Sequence, residues 1–131
     1  MPRQVPACRG ERGSASVQMV ILMPLLFSIM FLGLQAALFY HARTVAIAAA
    51  QEGARAAGAE TGSTGEGIAV ASSFVTAAGG SDVLKNPSVS GTRSATQATV
   101  TVRGASLSVI PGWAPTVEQS ATVPVERITT G

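Results

Sequence analysis

Between Arg12 and Arg43 the chain carries no Asp, Glu, Lys or Arg. The centre of that stretch, Val20 to Phe39, is almost continuously apolar, and twelve of its twenty residues are Val, Ile, Leu or Phe. Twenty helical residues at ~1.5 Å each match the ~30 Å hydrocarbon layer of a bilayer. On an insertion scale those twelve side chains contribute roughly −4 to −7 kcal/mol. Pro24, Ser28 and Gln35 subtract from that sum without reversing it. Pro24 leaves one backbone carbonyl without its helical donor and predicts a kink, which membrane helices tolerate when neighbouring groups re-satisfy the carbonyl. The pattern therefore predicts one transmembrane helix over 14–41. The run is too long and too uniformly apolar for a core helix of a soluble domain. The other reading is a cleaved secretory signal ending at Ala46-Ile47-Ala48, but the apolar region of such a signal is usually only ~7–15 residues.

Residues 42–60 are alanine-rich and lack proline. Alanine is the best helix former, so the helix is expected to continue past the membrane, weakening at Gly53 and Gly58. Glu52 falls one turn from Arg55, on a face shared with Gln51, while Val45, Ala49 and Ala56 lie on another. Small side chains allow close approach, either to further copies of the helix or to the chain's own domain.

Thr61 to Gly67 reads as a loop by composition. Ile68, Ala71, Val75 and Ala78, with Phe74 beside them, form a helical stripe that predicts a second helix over 68–78, stopped by Gly79-Gly80. The period then changes to strict alternation. Residues 88–103 read as two strands around a turn near Gly91-Thr92-Arg93, with Ala98, Val100 and Val102 on one face and Thr99, Thr101 and Arg103 on the other. Leu107, Val109 and Ile110 make a short apolar patch ended by Pro111-Gly112, and Trp113 is expected to cap the sheet. Val117, Gln119, Ala121, Val123 and Val125 alternate again, and Pro124 puts that strand at an edge. The expected fold class is α+β: a long N-terminal transmembrane helix continuing into a small exported domain with a second helix and about three antiparallel strands. Such a domain has a marginal core of its own, so the long helix should supply one wall. The expected division is a basic leader over 1–13, the transmembrane helix over 14–41, a helix extension over 42–60 and the small domain over 61–131.

Only 12% of the residues are charged, about half the usual share for a soluble chain. Nine Lys and Arg against seven Asp and Glu give +2, with no basic face of the kind that binds nucleic acid. Arg3, Arg9 and Arg12 precede the apolar run and Arg43 and Arg55 follow it, which favours a cytoplasmic N-terminus and an extracytoplasmic domain. Tyr40 and His41 fall where an outer interfacial belt would be. Cys8, the single cysteine, can form no internal disulfide.

At the N-terminal end of the apolar run stands Gly13, then Ser14-Ala15-Ser16, Gln18 as the fifth residue after the glycine, and Met23-Pro24-Leu25-Leu26 in the helix. Here the chain resembles the prepilin class, most closely TadE-like proteins of the tight-adherence (Flp-type) pilus system. Those families carry a leader ending in Gly, a few small residues, a Glu at the fifth position and an apolar helix often containing Leu-Pro-Leu. Gln18 in place of Glu is the departure. The resemblance implies cleavage between Gly13 and Ser14 by a membrane prepilin peptidase. It also implies that the mature helix can leave the bilayer to pack with other pilin-like subunits and tight-adherence assembly proteins, Gln18 and Pro24 bearing on register and assembly. In pilins the Glu can pair with a neighbour's new N-terminal amine. Gln18 keeps the hydrogen bonding without the charge, which suits a minor or assembly-linked subunit. Cleavage would remove three Arg and Glu11 and leave six basic and six acidic residues, a net charge of zero.

No enzyme is expected. His41 is the only histidine, so neither a His-based triad nor a His pair for a metal is available, and no catalytic, metal or cofactor site is identified. No glycine-rich phosphate loop stands at 61–67, and neither a nucleic acid nor a small-molecule substrate is an expected partner. The leading function is a pilin-like minor subunit or assembly factor of a tight-adherence pilus or related secretion filament, held in the cell membrane by one helix. The alternative is an unprocessed membrane-anchored binding module of the cell envelope, with Trp113 and the Pro111-Gly112 loop as the first recognition candidates.

Overall fold

The computed structural model describes residues 2–3 and 10–129. Cys8 and most of the expected leader lie outside the described residues. The elements are helix α1 (Gly10–Gly58), helix α2 (Thr64–Ala77), a 3-10 turn (Gly80–Asp82), and strands β1 (Leu84–Arg93), β2 (Gln97–Ser106) and β3 (Thr116–Pro124). The strands form one antiparallel sheet in the order β1-β2-β3. This is the α+β, pilin-like arrangement expected: a long apolar helix, a second helix and a three-stranded antiparallel sheet.

The chain divides into two units, one ending at Gly33 and the other beginning at Leu34. In the first, α1 continues through Pro24 without interruption, and every described side chain from Gly13 to Gly33 is exposed. The Ser28 hydroxyl donates to the Pro24 carbonyl at 2.7 Å.

In the second unit, the rest of α1 buries Ala42, Val45, Ala46, Ala49, Ala50, Gly53, Ala54 and Ala57. These positions follow the 3.6-residue period of one helix face. They pack with Ala71 and Val75 of α2 and with Leu84, Ala98, Val100, Val102 and Val117 of the sheet as one core. The small residues of the helix extension therefore serve the chain's own domain. A Cβ on Gly53 would stand 2.6 Å from the Gly67 carbonyl, and one on Gly67 would stand 2.7 Å from the Gly53 carbonyl. Two bare backbones thus touch where α1 and α2 meet. The Glu126 N–H donates to the Gly58 carbonyl at 2.8 Å, tying the end of α1 to the chain leaving β3.

Two boundaries depart from the sequence reading. Helix α2 begins at Thr64, inside the expected loop, because Ser63 adopts an extended conformation and its hydroxyl accepts from the Glu66 N–H at 3.1 Å. The Ser63-Thr64-Gly65-Glu66 order is a helix-start signature that outweighs the two glycines around it. The β1–β2 turn lies at 94–96 rather than at 91–93: the Ser94 N–H donates to the Gln97 carbonyl at 2.8 Å, and the Ser94 hydroxyl accepts from the Thr96 and Gln97 N–H groups. Gly91 is instead a strand residue paired with Val100.

Other expectations hold. Gly79 and Gly80, with φ of 128° and 57°, end the second helix in a conformation that side chains resist. Ala98, Val100 and Val102 are fully buried. Their outward neighbours pair across β2 and β3: Thr99 with Thr122 at 2.8 Å, Thr101 with Ser120 at 2.7 Å, and Arg103 with Glu118 at 3.5 Å. Strand β3 is an edge, so the missing donor of Pro124 costs no ladder bond. Arg55 and Glu52 meet at 2.8 Å.

Candidate functional site

Residues 13–34 of α1 display an exposed and almost unbroken apolar surface. Val20, Ile21, Leu25, Leu26, Ile29 and Leu32 are each more than half exposed, Val20 reaching 72%. Exposed apolar patches on soluble monomers rarely exceed a few hundred Å². A helix apolar on all sides, with none of its sides covered, fits a lipid environment. Among the described residues α1 is the one helix long and apolar enough to cross a membrane, as a single-pass anchor requires.

Gly13, Ser14 and Gln18 are all exposed near the start of α1, and open space surrounds the position of a Cβ on Gly13. Ser14 and Gln18 are four residues apart and share a helix face. Pro24 lies more than one turn beyond Gln18, in the helix interior. The helix thus brings Ser14 and Gln18 together and keeps Pro24 apart from them along its axis. Among the described residues no group of three or more His, Cys, Asp or Glu could hold a metal. His41 and Tyr40 are exposed on α1, and the Tyr40 ring stands edge-on to that of Phe39 with centroids 6.0 Å apart.

A residue with a structural role that spacing alone does not show is Gln35. It is 2% exposed and, among the described residues, the one polar side chain of α1 that the fold buries. Its Nε2 donates to the Leu107 carbonyl at 3.1 Å and its Oε1 accepts from the Val109 N–H at 2.9 Å. Both halves of the amide are thereby used, as a buried amide requires. The signal in the sequence is a lone amide inside a charge-free apolar run. Its partners stand 72 and 74 residues away, beyond any local pattern. Trp113, at the tip of the same 107–115 loop, is 50% exposed and stays out of the core rather than capping the sheet.

A protein-family profile described as TadE-like protein matches residues 13–55, from the glycine through the apolar run to the middle of the alanine-rich extension. No curated protein and no solved structure gives a significant match.

Proposed function

We propose, from the match of residues 13–55 to the TadE-like family profile, a family tied to pilus assembly and generally non-enzymatic, that the chain is a pilin-like minor subunit or assembly factor of a tight-adherence pilus or related secretion filament. Residues 1–13 act as a cytoplasmic leader, 14–41 cross the cell membrane once, 42–60 extend the helix, and 61–131 form the extracytoplasmic domain. Prepilin peptidase cuts between Gly13 and Ser14. The freed helix then moves laterally among other pilin-like subunits and assembly proteins, with the Gln18 amide hydrogen-bonding near the new N-terminus and Pro24 shaping the contact.

The observation that carries this reading is the apolar arm that follows Gly13 and is exposed from there to Leu34. Glycine offers the peptidase a backbone without a side chain, and small residues follow it. A carboxylate at position 18 would be costly near lipid unless paired. The neutral Gln18 avoids that cost and gives weaker coupling to a neighbour, which favours a minor or assembly-linked role over a major filament subunit.

N-terminal sequencing of the membrane-extracted protein, from cells that hold the peptidase, tests the assignment. A start at Ser14 is expected, and Gly13→Arg should leave the full-length chain in the membrane and abolish filament-related function. An intact Met1 in the unaltered protein would instead favour the anchored binding module, and continued shortening of Gly13→Arg would place the cut elsewhere.

A further inference from the structure

The loop between β2 and β3, residues 107–115, is unlike the other connections in the domain. From Gly104 to Val117 the chain has no Asp, Glu, Lys or Arg, and the loop reads Leu-Ser-Val-Ile-Pro-Gly-Trp-Ala-Pro. By contrast, the ladder just before it carries Arg103 opposite Glu118. The loop is also bound to α1 at a defined height. Gln35, which holds the Leu107 carbonyl and the Val109 N–H, lies four residues before Phe39, the end of the apolar run. Four helical residues are about 6 Å along the axis.

If the run from Val20 to Phe39 fills the hydrocarbon layer, the Gln35 amide and the loop it holds lie within the outer edge of that layer. Apolar elements that rest in the interface reach about 5–10 Å into the headgroup and acyl boundary, and Trp is enriched there. Backbone at that depth must find partners other than water. The loop supplies several of them. Besides the two bonds to Gln35, the Ile110 N–H donates to the Ser108 hydroxyl at 3.2 Å and the Trp113 N–H donates to the Ile110 carbonyl at 3.2 Å. The Ser108 hydroxyl lies against the Ile110 and Trp113 carbonyls. Pro111 and Pro115 have no N–H to satisfy.

We infer that the 107–115 loop is a second membrane contact: it seats Trp113, Ile110 and Val109 in the outer lipid interface beside the transmembrane helix, with Gln35 as the positioning residue that holds it there. The bilayer is the occupant because the loop is fastened to Gln35, a residue inside the charge-free apolar run itself. The domain is then held against the membrane at two places, and leaving the bilayer requires the loop to withdraw together with the helix. This inference rests on the single-pass anchor proposed above.

Trp113 is the only tryptophan, so its fluorescence reports the loop directly. The full chain is reconstituted into vesicles of phosphatidylcholine and phosphatidylglycerol, with or without lipids brominated near the headgroup end of the acyl chain. Blue-shifted emission is expected, with brominated lipid quenching it several-fold more than acrylamide does. Gln35→Ala should reduce the lipid quenching at least about two-fold while carbonate-resistant retention in the vesicles is unchanged. Red-shifted emission, quenched by acrylamide in protein that still floats with the vesicles, would overturn the loop inference and leave the anchor intact. Loss of the protein from the vesicles on carbonate treatment would instead overturn the anchor. Shielding from both quenchers that vanishes at fewer than one copy per vesicle would assign the loop to a second copy of the chain and overturn the lipid assignment.

Discussion

One helix, α1, is built in two materials. Up to Gly33 it carries Val, Ile, Leu, Met and Phe, all of them exposed. From Ala42 to Ala57 it carries mostly alanine, and the face toward the domain is fully buried. Large apolar side chains stand where no protein covers them, and the smallest stand where protein packs most closely. In water that would be inverted. A bilayer removes the penalty for exposing Leu and Phe, and with it the drive to bury them against protein. The extension faces the opposite demand. A small sheet and a short helix must come close to its backbone to assemble a core, and alanine and glycine permit the approach.

The sharpest way to break the contrast is to enlarge a residue in the packed half. Gly53→Leu drives a side chain into the Gly67 carbonyl and Ala71, and should cost roughly 3 kcal/mol. Thermal unfolding of the detergent-solubilised full chain, followed by circular dichroism, measures it, and a near-native midpoint would show that α2 does not rest on α1 as described. Next comes Gln35→Leu, where α1 holds the 107–115 loop. It leaves the Leu107 carbonyl and Val109 N–H unpaired and should cost about 1–3 kcal/mol by the same measurement. The smallest effect belongs to the arm: Leu26→Ala should change the stability of the domain by less than about 0.5 kcal/mol, because that side chain is exposed and takes no part in the core. Were Leu26→Ala to cost as much as Gly53→Leu, the arm would be packed inside protein and the contrast would collapse.

Much of this is legible along the chain because it depends on local composition. The charge-free run, the alanine extension, the alternation at 98–103 and the edge position of Pro124 each follow from residues close together in sequence. The departures are local too. In Ser63-Thr64-Gly65-Glu66-Gly67 the two glycines point to a loop, yet the Ser-x-x-Glu cap within them starts a helix. Gly91 has the composition of a turn, although Ser94 supplies the hydrogen bonds that make it.

The sequence by itself determined that one segment is apolar enough to cross a membrane and that a small α+β domain follows it. Hydrophobic period and charge distribution are properties of neighbouring residues, and they survive without knowledge of the fold. Only the tertiary structure decided that the alanine face serves the chain's own sheet, that Gly53 and Gly67 meet backbone to backbone, and that the Gln35 amide, a defect in a greasy run when read alone, fastens a loop more than seventy residues away. Those outcomes depend on which surfaces are brought within a few ångströms of each other, and hydrogen bonds and close packing act only over that range.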